Sequence, residues 1–344
     1  MTGAARLIAA ARSQPVDATP VWFMRQAGGS LPRYLALREH HSVEAIARTP
    51  ELAAEVSILP VDAYGVDGAV MFADIMLPLV PMGVGLELTP GGPIVAEPIR
   101  SAADVDRLRR LEPDADLPFM LEAIRLVRRE VKERAAVIGI VGGPFTLACY
   151  LIEGGPSRDQ LRAKAFMYRE PAAWDRLMDV LSASLAAHAE AQIVAGAQLI
   201  QVFDSWAGSL GPRDYVERVA GHSARILVAA AAVPTIHFVA RSAGILEHVA
   251  DAGGVVLGID AGQSLDDAWG RVGLARAIQG NMDPARLLAG WPAIEEGARA
   301  VLDAVAGRPG HIFNLGHAAP RETDPAMLRD LVSLVHDSTL RAVP

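Results

Sequence analysis

A chain of 344 residues, 51% hydrophobic and 21% charged, can bury a large core and has the length of one α/β barrel domain. A net charge of −8 leaves no broad basic face for nucleic acid, and one cysteine, Cys149, excludes both a disulfide framework and a cysteine-based zinc site. No apolar run is long enough to cross a bilayer, and the opening MTGAARLIAAARSQ lacks the core of a secretory leader, so a soluble cytoplasmic protein is expected.

The first element is the apolar run 21–24, Val-Trp-Phe-Met, which fits a covered strand and delivers Arg25 and Gln26 into a turn at Gly28 and Gly29. A guanidinium at the end of a buried strand can hold a carboxylate by a two-pronged hydrogen bond, and it can equally well snorkel into solvent. Seven further runs bounded by Gly, Pro and Asp follow at 67–72, 136–141, 198–203, 233–238, 255–259, 275–280 and 311–315. Amphipathic stretches separate them. In 175–194, Leu177, Leu181, Leu185 and Ala189 share one face, with Asp175, Asp179, His188 and Glu190 placed elsewhere. Strand and helix alternating eight times predict a single-domain, distorted (β/α)8 TIM barrel over 1–344, with ends frayed before about 20 and after about 341. The longest interruption, 77–116, contains Thr89-Pro90-Gly91-Gly92-Pro93 and is expected to make a hairpin excursion.

In such a fold the reacting groups stand on the loops after the strands. In chain order those loops carry Arg25-Gln26, Asp74, Gly142-Gly143-Pro144-Phe145-Thr146 leading to Tyr150, and Asp204-Ser205-Trp206. Arg241, Asp260, Asn281-Met282-Asp283 and Gly316-His317 complete the set. Structural roles compete for several of these: Asp204 as a helix cap, Thr146 as an N-cap, Asn281 and Asp283 in an Asx turn, Tyr150 as a core aromatic. His237, inside a predicted strand, reads as a satisfied core histidine.

Six stretches, VWFMRQAGGSLPRY, FADI, GGPFTLACYLIEGGPS, QVFDSWAG, QGNMDP and FNLGH, occur in an order and spacing that resembles the uroporphyrinogen decarboxylase family over nearly the whole chain. The resemblance implies a distorted barrel without metal or organic cofactor. It also implies a homodimer and removal of carbon dioxide from the four acetates of a porphyrinogen, within haem biosynthesis. By the same resemblance Asp74 accepts the pyrrole N–H groups and Arg25 pairs with a substrate carboxylate, making these two the catalytic candidates. Tyr150, Ser205 and His317 would hydrogen-bond substrate carboxylates, and Gln26, Ala27, Gly28 and Gly29 would line the same site. Arg241 joins the substrate-binding set from its place after the fifth strand, where the family is glycine-rich.

The chain departs from the family pattern where Arg-Gln-Ala-Gly-Arg ends in Gly29, and at Leu59, Ala261 and Ala318. Three readings stand open: a working decarboxylase, a paralogue for another anionic substrate, and a non-catalytic tetrapyrrole-binding barrel. A related branch, zinc- and cobalamin-dependent methyltransferases, needs a His-x-Cys pair, and Val239 stands two positions after His237 instead.

Overall fold

The computed structural model of the protein describes residues 1–27, 30–89 and 91–342. Its strands are β1 (Gly68–Val70), β2 (Leu86–Thr89), β3 (Gly92–Val95), β4 (Ala136–Gly142), β5 (Leu199–Phe203), β6 (Thr235–Phe238), β7 (Val256–Gly258), β8 (Ala277–Met282) and β9 (His311–Leu315). Seven of them form one parallel sheet in the order β1-β4-β5-β6-β7-β8-β9, and β2 and β3 form the expected hairpin, whose Pro90 lies outside the described residues. Every residue of β4 is buried, as an all-parallel sheet covered by helices requires.

The sheet is strongly curled. Between β5 and β8 lie two strands, which in a flat sheet would hold them roughly 14 Å apart. Yet Gln279 Nε2 donates to Gln201 Oε1 at 3.0 Å, and Trp22 Nε1 donates to Gln279 Oε1 at 2.9 Å. The interior of the curl is thus crossed by a buried polar chain.

The expected first strand at 21–24 is reduced to a single bridge between Val21 and Phe313 of β9. Residues 20–22 do bond to both edges of the sheet: Phe313 N donates to Pro20 O at 2.8 Å, Trp22 N to Phe313 O at 3.3 Å, and Asp67 N to Val21 O at 2.8 Å. The ladder stops there because side chains take the next donors. Phe23 N goes to Gln26 Oε1 (3.0 Å) and Met24 N to Asn314 Oδ1 (3.2 Å). Two other strands start late, β6 at Thr235 and β8 at Ala277, after a proline and a Gly273–Arg276 turn.

The N-terminus does not fray. Residues Gly3–Ala11 are helical with Ala4, Leu7 and Ala10 fully buried. Arg6 from this helix pairs with Asp67 (2.7 Å) and Asp17 (2.7 Å), and His336 Nε2 from the helix Pro325–Thr339 meets Asp67 at 2.8 Å. Asp67 also accepts Val21 N at 2.8 Å, so one buried carboxylate ties both chain ends to the sheet.

The helix Pro171–Ala195 buries Leu177, Leu181, Leu185 and Ala189 as the periodicity predicts. His188, placed off that face by the sequence pattern, is also buried; no described residue bonds its ring and desolvation lowers its pKa to about 4. The buried stripe is wider than expected because Gln192 on the same side packs against β4, bonding Ile140 N (3.1 Å) and Ile140 O (2.9 Å). His237 is in the core as expected, and burial lowers its pKa to about 4 against the pull of the Val249 and Gly253 backbone.

Candidate active site

The loops leaving the C-terminal ends of the strands gather at one end of the sheet. After residues 20–22 the chain turns at Arg25, whose φ of 58° puts a non-glycine residue in the left-handed region, at a cost of about 1 kcal/mol. Gln26 fixes this turn. Its amide accepts Phe23 N and donates to Gly68 O of β1 at 2.7 Å, and the residue is only 2% exposed. Gln26, expected to touch substrate, is therefore occupied as the brace that presents Arg25, which stays exposed with no ion pair among the described residues. Ala27 is buried behind it, and Gly28 and Gly29 lie outside the described residues.

Asp74 follows β1 and is half-buried. Its Oδ1 accepts Met76 N at 2.9 Å, an Asx-type turn that fixes the carboxyl without consuming its second oxygen. Burial raises its pKa above the ordinary carboxylate value, opposed by the Met76 N–H and by the charge of Arg25.

Tyr150 sits in the helix Pro144–Glu153, which starts directly after β4. Its ring stacks on Trp206, 4.2 Å between centroids, a contact that aromatic residues in the two motifs FTLACY and FDSW could have signalled and that the sequence reading missed. Desolvation and the neighbouring Asp74 push the Tyr150 hydroxyl up to about 12, so it remains a donor at neutral pH.

Asp204 is fully buried and does what a cap does. One oxygen accepts both Thr146 N and Thr146 Oγ1 at 2.8 Å, and Trp206 N donates back to Thr146 Oγ1 at 3.1 Å. The loop after β5 is thereby clamped to the helix that carries Tyr150. Gly143 permits this approach, since a Cβ there would lie 2.2 Å from Asp204 Cβ. Ser205 is held half-buried next to the clamp.

On the far side, Arg241 repeats the device used for Arg25. It too is left-handed (φ 58°) and exposed, and its backbone N–H is held by the Asp260 carboxylate. Asp260 also accepts Gly262 N at 2.7 Å, and Asn281 braces this corner by donating to Asp260 O (2.9 Å) and Gln263 O (2.8 Å). Gly208 allows the loop after β5 to press on Arg241, because a Cβ there would lie 2.0 Å from Ala240 O. Asn281, Asp283, which accepts Ala285 N at 2.9 Å, and Thr146 all take structural roles.

His317 follows β9 and is exposed. Desolvation and the charge of Arg25 lower its pKa, while Asp260 raises it. It is expected to be neutral near pH 7 and to bond through an uncharged ring. Arg25 thus lies within electrostatic reach of Asp74, Tyr150 and His317 together. Among the described residues no cluster of three His, Cys, Asp or Glu could hold a metal ion, and no helix is long and apolar enough to cross a membrane.

A family model described as uroporphyrinogen decarboxylase matches residues 2–338. The chain is 46% identical over 340 residues to uroporphyrinogen decarboxylase from Roseiflexus sp. (strain RS-1), covering 96% of this chain and 98% of that one. It is 48% identical over 334 residues to the enzyme of that name from Syntrophotalea carbinolica, covering 96% and 97%. Among solved structures, a methyltransferase from Methanosarcina mazei superposes with a TM-score of 0.82 at 19% identity, over 98% of this chain and 99% of that chain. A B12-independent methionine synthase from Shewanella sp. W3-18-1 gives 0.54 at 10% identity over 87% and 89%. At those identities the likeness is one of fold alone.

Proposed function

The chain belongs to the uroporphyrinogen decarboxylase family, and we propose that this cleft converts uroporphyrinogen III to coproporphyrinogen III by removing four acetate carboxyls as carbon dioxide. The observation that supports the reading is that Arg25 lies within electrostatic reach of the half-buried Asp74 carboxylate, of Tyr150 and of His317, at the end of the sheet where the strand loops gather.

A pyrrole acetate cannot lose carbon dioxide directly, since the electron pair left on its methylene has nowhere to go. Protonation of the adjacent ring carbon makes the ring cationic. The C–C bond electrons then flow into the ring, carbon dioxide leaves, and a proton on the methylene with loss of the ring proton restores a methyl pyrrole. Asp74 supports the cationic ring by accepting its N–H groups through the oxygen not used by Met76, a fixed charge placed where positive charge develops. Arg25, held out by the Gln26 brace, fixes a carboxylate. It acts by position, because guanidinium groups stay protonated in proteins. Tyr150 donates to a carboxylate, as do Ser205 and His317. The supporting fold is read as a single domain whose residues 20–22 close the curl as an eighth stave, working as a cytoplasmic homodimer.

The test is anaerobic incubation of purified protein with uroporphyrinogen III in excess chelator, with products separated by chromatography. Intermediates with seven, six and five carboxylates and a final product with four are expected. Unchanged substrate refutes the reading.

Arg241 belongs to the same proposal. The substrate carries eight carboxylates against a protein of net charge −8, so the mouth needs local positive charge. Arg241→Ala is expected to raise KM roughly five-fold, an effect that shrinks in high salt. An unchanged KM removes Arg241 from the site.

A further inference from the structure

A third exposed arginine stands at this mouth, on a segment to which no role has been given. After His317 the chain runs back along the first loop, with Ala319 N donating to Met24 O at 3.0 Å, one residue from Arg25. It then makes a tight turn closed by Thr323 N to Pro320 O at 3.3 Å, and Thr323 beyond it is buried. Arg321 occupies the corner of that turn. The side chain is exposed and has no ion pair among the described residues. Of the neighbouring acids, Asp324 is occupied as the N-cap of the helix Pro325–Thr339, accepting Ala326 N at 2.9 Å.

What lies next to Arg321 places it relative to the reacting centre. The charges of Arg321 and Arg38 both act on the Tyr34 hydroxyl, lowering a pKa that burial raises. The Tyr34 ring packs edge-on against Phe72, 5.6 Å between centroids, and Phe72 is two residues before Asp74. Arg38 already donates to the His41 carbonyl. Arg321 is thus connected to Asp74 through Tyr34 and Phe72: its charge reaches the Tyr34 hydroxyl, the Tyr34 ring touches Phe72, and Phe72 stands two residues before Asp74.

We propose that Arg321 is a specificity-determining residue that grips a carboxylate on the outer edge of the substrate ring, remote from the acetate reacting above Asp74. This rests on the decarboxylase reading. A contact far from the reacting bond is made equally in the ground state and the transition state, so it sets KM and leaves kcat alone. It also favours rings with more carboxylates, because a ring that presents none at that edge leaves Arg321 in water.

The experiment compares wild type, Arg321→Ala and Arg321→Lys in two assays, turnover of uroporphyrinogen III and equilibrium titration with uroporphyrin, its oxidised octacarboxylate. In Arg321→Ala, KM and the uroporphyrin dissociation constant are expected to rise together by roughly five-fold, with kcat within two-fold of wild type. Arg321→Lys should recover most of the loss, and the difference should shrink in high salt. An Arg321→Ala protein with unchanged KM and uroporphyrin affinity overturns the assignment, as does one that loses kcat at constant KM. Wild type that binds uroporphyrin without turning over uroporphyrinogen refutes the decarboxylase reading alone, since the titration still reads Arg321.

Discussion

Asp74→Asn is expected to lower kcat by ~100-fold or more while KM stays within a few-fold, because a fixed anion facing the cationic ring is lost and the shape is kept. Asparagine can still accept Met76 N through its amide oxygen, so the local turn survives and the fold is not in question. If Asp74 served only that turn, Asn would be nearly silent, and unchanged turnover would remove it from the mechanism. The pH profile supplies an independent check. Catalysis needs the carboxylate form, and burial holds the Asp74 pKa above its ordinary value, so activity should fall on the acid side as pH drops through that raised pKa. Arg25 lowers the same pKa. In Arg25→Gln the acid limb is therefore expected to move to higher pH, in addition to any loss of substrate affinity; a limb that stays in place would separate Arg25 from Asp74.

The second large effect is on stability, at Asp204. This carboxylate is fully buried and its pKa is raised to about 6 by desolvation, against the pull of Thr146 and Ser223. With the folded pKa above the ordinary 3.8, the group's contribution is intact below about pH 4 and is lost as pH rises through about 6. The ionised form then costs the folded state about 3 kcal/mol. Asparagine keeps an acceptor for Thr146 and carries no charge. The stability difference between Asp204→Asn and wild type should therefore move in favour of the variant by about 3 kcal/mol between pH 4 and pH 7. Asp204→Ala removes the acceptor too, stranding the Thr146 N–H and hydroxyl in the core, and should be less stable than Asp204→Asn by about 3 kcal/mol at any pH. Chemical denaturation across pH measures both. Parallel curves for wild type and Asp204→Asn would mean that the buried carboxyl is not the group that titrates.

Much of this could be read locally. The apolar runs between Gly, Pro and Asp mark the seven sheet strands to within a few residues, because a strand covered on both faces must be apolar throughout and must end where backbone donors find turns. The Leu177-Leu181-Leu185 stripe and the β2–β3 hairpin follow from periodicity and Gly-Pro chemistry. The motif order placed Asp74, Ser205, Arg241 and His317 on loops after the strands, where the fold also has them, with Tyr150 on the helix that follows β4.

Other features were not written in any window of neighbouring residues. Gln26 reads as a ligand beside Arg25 and turns out to be its brace, because its partner is the carbonyl of Gly68, 42 residues away. The first strand looks regular and stops at one bridge because Asn314, 290 residues on, takes the Met24 N–H from the ladder. The N-terminal helix, unremarkable in composition, is anchored because Asp67 needs Arg6. Left-handed arginines at 25 and 241 exist only because Gln26 and Asp260 hold them there. Periodicity and turn chemistry act over a few residues and so survive in the linear chain, whereas a buried donor is satisfied by whichever acceptor the folded chain brings within about 3 Å, and that choice is made only when distant segments meet.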